Sequence, residues 1–413
     1  MRFYGWFVVA VAWIIYGFGI SPGYYSWGFF STEIISDLGL DRAQTGAVFG
    51  VFTFVYSGIG PITGAAISRW GTRTVMTLGS LIAALGFFLL RSADSLVECF
   101  LYFGVLCGVG IGLSTILPVQ TLATNWFTKY RARAVAIILI AGGIVGQFVP
   151  RFDAFMVEQY SWRTGWLVIA GISASLAVVA ALFVRNQPAD LGQHPDGVVP
   201  SGSDASAEPA VTAADSWTPR KAMRTRQFAI LCLSGVAYAV PWSVVVAHGR
   251  LHMQDLGFST NLVATIFSFM ILASIAGRLT GSLGDFLAPE KVLGFALLVE
   301  AVGMMALLTA TTPLVARVAT VLIAIGFGAA YITITVVFSQ YFGRVAFAQT
   351  AGTRFLITGV FNAFSPYLAG VLFEQTGSYR IAFIVIAVLG VVGGLATLRL
   401  RAPTPPVEGA ATA

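Results

Sequence analysis

Arg278 sits inside an apolar run, 262–284, framed as Gly277-Arg278-Leu279-Thr280-Gly281. A guanidinium is charged at every physiological pH and grips a carboxylate through two parallel N–H donors. In mid-bilayer it costs about 2.5–3.5 kcal/mol on insertion scales, so a chain keeps it where it faces a watery or protein-lined cavity. The chemistry is then capture of an anion. The competing account is a side chain that snorkels to the headgroups or pairs with a helix end. Asp285 lies seven residues further on, which puts Arg278 about 10 Å from the end of its helix at 1.5 Å per residue.

Hydroxyls, amides and aromatics in other apolar runs are candidates to line the same cavity. Tyr331 and Thr115 occupy matching places in an internal repeat, and both offer a hydroxyl to a second carboxylate oxygen or an α-hydroxyl. Tyr24 and Tyr25 lie beside Ser21-Pro22-Gly23, and Tyr238, Trp242, Gln120, Gln147 and Asn362 are further lining candidates. Ordinary packing with a satisfied polar tip explains each of these as well. For a proton, the intramembrane acids are Asp153 and Glu300. Asp153 has Arg151 close by as a pairing partner, and Glu300 calls for a structural one. Histidine titrates near neutral, so His248 and His252 are candidates for a gating or proton role, although their place at the end of an apolar run favours exposure at the membrane surface. His194 reads as solvated. Cys99, Cys107 and Cys232 lack metal spacing and read as small core residues. No nucleophile, metal cluster or phosphate loop stands out, so neither an enzyme nor a cofactor is expected.

The elements that must hold these residues are membrane helices. Of the 413 residues, 57% are hydrophobic and 10% charged, against about 25% charged in soluble domains. Apolar runs fall at 4–30, 43–67, 74–90, 97–125, 134–156, 165–184, 227–249, 261–284, 291–310, 316–340, 348–373 and 380–399, each long enough to cross a bilayer. Pro22 and Pro241 mark kinks in the first and seventh. Lys and Arg crowd alternate connections, among them Arg69/Arg73, Lys129/Arg131/Arg133 and Arg220/Lys221/Arg224/Arg226. The other set is sparser, with Arg42, Arg91, Arg163, Arg250, Arg317 and Arg380. The crowded set is the cytoplasmic one, with both termini inside. The net charge of +6 is therefore a topology signal and not a nucleic-acid one. The polar stretch 186–216 reads as a largely disordered linker. The expected organisation is an N-terminal six-helix bundle at 1–185, a cytoplasmic linker at 186–224, a C-terminal six-helix bundle at 225–401 and a tail at 402–413.

The two halves match at a nearly constant offset. Gly60-Pro61-Ile62-Thr63-Gly64 pairs with Gly277-Arg278-Leu279-Thr280-Gly281, Gly110-Ile111-Gly112 with Gly326-Phe327-Gly328, and Pro150 with Pro366. Such a series implies two pseudo-symmetric six-helix bundles. Four further stretches carry a family likeness: Tyr4-Gly5-Trp6-Phe7-Val8-Val9, Trp126-Phe127-x-Lys129-x-Arg131-x-Arg133-Ala134, Arg278-x-x-Gly281-x-x-x-Asp285 and Ser365-Pro366-x-Leu368-Ala369-Gly370. In that order they resemble the major facilitator superfamily, and within it the monocarboxylate transporters and neighbouring oxalate/formate antiporters. The resemblance implies an all-α fold of twelve transmembrane helices, alternating access, and Arg278 as the substrate arginine. It further implies partners limited to a small carboxylate, protons and the bilayer, with a monomer as the functional unit in a plasma (inner) membrane. It places gating loops at Gly64, Ser68, Arg69 and Arg73 and at Gly281 and Asp285. It also puts Glu300 in a helix that tends to lie outside the cavity. Departures bear on mechanism. Ser68 stands where the superfamily usually has an Asp, Tyr24 where animal relatives have a lysine, and Ser274 where they have an acid. Thr358 stands where oxalate carriers have a lysine, and Arg354 lies one turn earlier on the same face. The expectation is proton symport of a lactate- or pyruvate-type monocarboxylate. Formate or dicarboxylate exchange is the alternative, and a drug exporter or transporter-like sensor is further off.

Overall fold

Eleven helices among the described residues of this computed structural model are long and apolar enough to cross a membrane; residues 3–198, 217–281 and 287–404 are described. In chain order the helices are α1 (Gly5–Leu38), α2 (Arg42–Gly58), α3 (Gly60–Leu90), α4 (Leu96–Trp126), α5 (Arg133–Gln159) and α6 (Trp162–Phe183). The second half adds α7 (Arg226–Asp255), α8 (Thr260–Gly281), α9 (Pro289–Leu308), α10 (Pro313–Gly343), α11 (Gln349–Thr376) and α12 (Arg380–Leu398). α2 is the twelfth: at 17 residues it is at the short limit for a crossing.

Local chemistry sets where the helices start and stop. α1 ends on Gly39 in the left-handed conformation. α2 starts from a capping box in which Asp41 and Gln44 each accept from the other's backbone N–H. Ser95 and Glu98 repeat that device ahead of α4. Gly71, at φ 78° and ψ 157°, breaks helical geometry inside α3, at the connection between the sequence spans 43–67 and 74–90. Gly343, at φ 61°, does the same between α10 and α11. Only glycine takes these angles without a steric cost. Pro22 and Pro241 lie inside helices that continue on both sides.

The repeat is visible as packing. α3 packs on α6 in the first half, and α9 packs on α12 in the second. Gly110 of α4 approaches α3 so closely that a Cβ would lie 2.7 Å from the Gly79 carbonyl oxygen. Its repeat partner Gly326 on α10 stands equally close to α9, with a Cβ position 2.6 Å from the Ala296 oxygen. Gly104 and Gly108 of α4 seat against Val51 and Val55 of α2, the close approach that small residues allow. The three cysteines are buried and free.

The chain divides into two compact units. Unit 1 holds Met1–Ala205, Val245–Leu272 and Ala363–Gly377, and unit 2 holds Ser206–Val244, Ala273–Asn362 and Ser378–Ala413. Disorder does not describe the first part of the linker. Residues 186–198 carry two short 3-10 turns, Pro188–Leu191 and Pro195–Gly197. Asp196 accepts from the backbone N–H groups of Thr128 and Lys129 at 3.0 and 2.7 Å, and Asn186 Oδ1 accepts from Arg73 N at 2.9 Å. His194 is exposed. Residues 199–216 lie outside the described set.

Candidate functional site

In unit 2 the site begins at a helix crossing. A Cβ on Gly328 of α10 would lie 2.8 Å from the backbone nitrogen of Arg278 on α8, and one on Gly277 would lie 2.9 Å from Ile325 Cα. The missing side chains bring the two backbones into contact, and Tyr331, about one turn past Gly328, comes beside Arg278. The guanidinium carbon sits 5.6 Å from the Tyr331 ring centroid, in cation–π range. Arg278 and Tyr331 are both half-buried.

From Tyr331 the aromatic surface runs to α7. Tyr238 meets it edge to face at 6.4 Å and 82°, and Trp242 stacks on Phe327 at 4.2 Å and 10°. Tyr238 also meets a second cation. Arg354 of α11 is 2% exposed and points Nη1 at the Tyr238 hydroxyl at 3.5 Å, a long contact. Its guanidinium lies 4.0 Å from the Phe355 ring centroid. Arg354 Nε and Thr358 Oγ1 are buried without hydrogen-bond partners among the described residues. Five of the residues expected to line the cavity, Arg278, Tyr331, Tyr238, Trp242 and Arg354, are thus linked with Phe327 in one chain of packed side chains, in which Tyr238, Trp242 and Arg354 are buried. Asn362, half-buried on the same helix as Arg354, accepts through its backbone oxygen from Ser243 Oγ at 3.3 Å.

Comparison with known proteins gives the family. A family model described as Major Facilitator Superfamily matches residues 3–280 and 235–413. The chain belongs to the major facilitator superfamily. Among its relatives, monocarboxylate transporter 2 of Mesocricetus auratus is 22% identical over 405 residues, covering 95% of this chain and 83% of its own. Monocarboxylate transporter 13 of Bos taurus is 24% identical over 389 residues, with 92% and 86% covered. The MFS-type transporter YhjX of Escherichia coli (strain K12) is 24% identical over 339 residues, 81% of each chain. Among solved structures, an inward-facing, unoccupied bacterial homolog of the human lysosomal transporter Spinster superposes with TM-score 0.77 at 17% identity, covering 96% and 97% of the two chains. A D-xylose–proton symporter gives 0.72 at 14%, with 97% and 98% covered. At such identity the structures establish the fold.

The superfamily transporter's first-half candidates are less uniform. Tyr24 and Tyr25 are half-buried and meet edge to face at 5.6 Å; Tyr24 packs on Phe49, and Tyr25 covers Gly146. Gln120 is half-buried, and Gln147 donates to the Ile144 carbonyl at 3.3 Å. Thr115 has to be corrected. It is 0% exposed and donates its hydroxyl proton to the Ile111 carbonyl at 2.6 Å. Helical geometry fails at Thr115, at φ −111° and ψ −103°, so the hydroxyl closes the end of a helical segment. It has no proton left for an anion.

The expected proton groups are also placed differently. His248 is fully buried, its Nε2 2.8 Å from the Pro366 oxygen, and His252 is 7% exposed; neither lies at a surface. Asp153 does not pair with exposed Arg151; it accepts from Ser26 Oγ at 2.9 Å. Glu300 is 1% exposed, and neither of its carboxyl oxygens has a hydrogen-bond partner among the described residues. On the gating segment, Ser68 donates to the Gly64 carbonyl at 3.1 Å, while Arg69 and Arg73 are exposed. Gly281 ends α8, and Asp285 lies outside the described residues. Sequence reasoning missed Arg250 by placing it among connection charges: it is buried in α7, bound through both terminal nitrogens to Glu33.

Proposed function

We propose that this secondary transporter carries small monocarboxylates of the lactate or pyruvate type together with a proton. The observation that carries the reading is Arg278 held at the Gly277–Gly328 crossing, its guanidinium over Tyr331. A carboxylate docked there takes a bidentate pair from Arg278 and one hydroxyl donor from Tyr331 or Tyr238. A bound carboxylate adds an anionic partner to the guanidinium. The occupied protein then changes conformation more easily than the empty one to the extent that this contact is stronger in the rearranged state. The distant likeness to animal monocarboxylate transporters supports the substrate class. The charge pattern of the connections supports cytoplasmic termini, and the reading takes one chain in a plasma (inner) membrane as the functional unit.

A second reading, exchange of formate or a dicarboxylate of the oxalate type, is favoured by Arg354, the second buried cation on the same surface. The test is uptake of lactate, pyruvate, formate and oxalate into proteoliposomes, with and without an inward proton gradient. Arg278→Gln should lower uptake at least about thirtyfold, the cost of losing one partner of a desolvated charge pair. Its elution and melting should stay those of the parent. Near-normal uptake by this variant removes Arg278 from the site. Indifference to the proton gradient, with strong stimulation by internal anion, favours exchange.

A further inference from the structure

Unit 1 contains a charge cluster that the anion site does not use, with Arg250 and Asp153 buried and the Glu33 side chain 25% exposed. Glu33 of α1 accepts from Nη1 and Nη2 of Arg250 of α7 at 2.9 and 2.7 Å, and the arginine side chain is 1% exposed. The guanidinium carbon lies 5.4 Å from the Phe29 ring centroid. Asp153 of α5 reaches the same region. It is 0% exposed, its Oδ1 accepts from Ser26 Oγ of α1 at 2.9 Å, and Arg250 and Glu33 are the charged groups that act on it. Asp153 Oδ2 is buried with no hydrogen-bond partner among the described residues.

Most neighbouring charged and titratable groups have partners outside the cluster. Arg151 is exposed, Glu158 accepts from Asn261, and His248 is bonded to the Pro366 oxygen. Arg42 pairs with Asp255, Arg163 with Asp37 and Asp94, and His252 has a contact of its own. The cluster therefore counts two carboxyls against one guanidinium. The guanidinium is committed to Glu33, so one negative charge is left over on the carboxyl whose outer oxygen has no donor. A buried, unpaired carboxylate costs several kcal/mol and is relieved by a cation or a proton.

We propose that Asp153 carries the transported proton and that the Glu33–Arg250 pair responds to its charge. The inference rests on the proton-symport reading. With an O–H bond on Oδ2, the cluster is neutral and α7 stays packed on α1 through Arg250. Loss of that proton to water leaves the excess charge buried. The arginine is then drawn between two carboxylates, and the packed arrangement of the Val245–Asp255 part of α7 on α1 is weakened. No other reactant enters: the proton is taken from water before the cycle and returned to water after it.

The experiment uses the full chain in proteoliposomes, with the four carboxylates above as probes. Asp153→Asn copies the protonated carboxyl and keeps an acceptor for Ser26. It should lose at least tenfold in accumulation driven by a proton gradient, yet keep anion-for-anion exchange within twofold. Glu33→Gln leaves Arg250 facing Asp153 alone, so a charged Asp153 is favoured. The pH of half-maximal uptake should move acidic by about one unit, a shift that a packing role would not produce. Gradient-driven accumulation retained in Asp153→Asn overturns the inference. So does loss of exchange in step with accumulation, or a parent protein driven by sodium and not by protons. A parent indifferent to the proton gradient overturns the symport reading and the inference together; failure confined to the variants overturns the inference alone.

Discussion

Two arginines in unit 2 share a pair of tyrosines, yet their surroundings give them different tasks. Arg278 is half-buried and meets a ring face, so part of its guanidinium is open to an incoming anion. Arg354 is nearly inaccessible, and its Nε still has no acceptor among the described residues. That unused donor suits a second carboxylate on the same substrate and adds little for a monocarboxylate. Arg354→Gln should keep lactate uptake within about threefold while removing at least tenfold of the inhibition by oxalate, measured by competition. An equal loss for both anions would make Arg354 a packing residue. Residue by residue, legibility followed cost. Arg278 stood out because an apolar run with one charge has few explanations. Arg250 did not, because His248, His252 and Asp255 around it imitate the end of a helix, and its carboxylate partner is 217 positions away in the chain. Thr115 was misread because a repeat gives a residue's place and not what its hydroxyl bonds.

The helices were legible where glycine falls between apolar runs and illegible where backbone geometry bends inside one. Gly71 and Gly343 fall at boundaries between apolar runs. The π-helical stretch Phe100–Cys107 holds Gly104, and the break at Thr115 comes three residues before Pro118, but both lie inside one apolar run. α5 also breaks, between Arg131–Gly146 and Val149–Gln159, and Pro150 at the start of the second piece supplies the reason. Polar composition misled at 186–198, because Asn186, Asp190 and Asp196 spend their side chains on backbone donors. The crossing of α8 and α10 is the element the site depends on. Gly328→Ala puts a methyl against the Ser274 carbonyl and 2.8 Å from Arg278 N. Separating the helices should cost about 1–3 kcal/mol and carry Arg278 off Tyr331. Uptake should fall at least tenfold and the melting temperature should drop. Gly352→Ala, with nothing within 4 Å of its Cβ position, serves as the control that leaves both unchanged. Equal behaviour of the two variants would show that the crossing does not position the arginine.

At the scale of the whole molecule the repeat was the most legible feature, because matched glycines do matched work: Gly110 and Gly326 each seat a helix on its predecessor. What the repeat does not share is charge. Arg278 has Pro61 opposite it in the first half, so the cation proposed to bind the anion belongs to unit 2, while the buried carboxyl and ion pair proposed for the proton belong to unit 1. Anion and proton are then handled by different parts of one chain, and each turnover moves no net charge. Moving a monoanion alone against 100 mV costs about 2.3 kcal/mol, close to a fiftyfold difference in accumulation at 1.4 kcal/mol per tenfold. A proton moving with the anion cancels that term. In proteoliposomes with the potential clamped by potassium and valinomycin, lactate accumulation under a fixed pH gradient should change less than twofold between 0 and −100 mV. A change approaching fiftyfold would mean that the anion travels without its proton, and the charge-separated design would have to be abandoned.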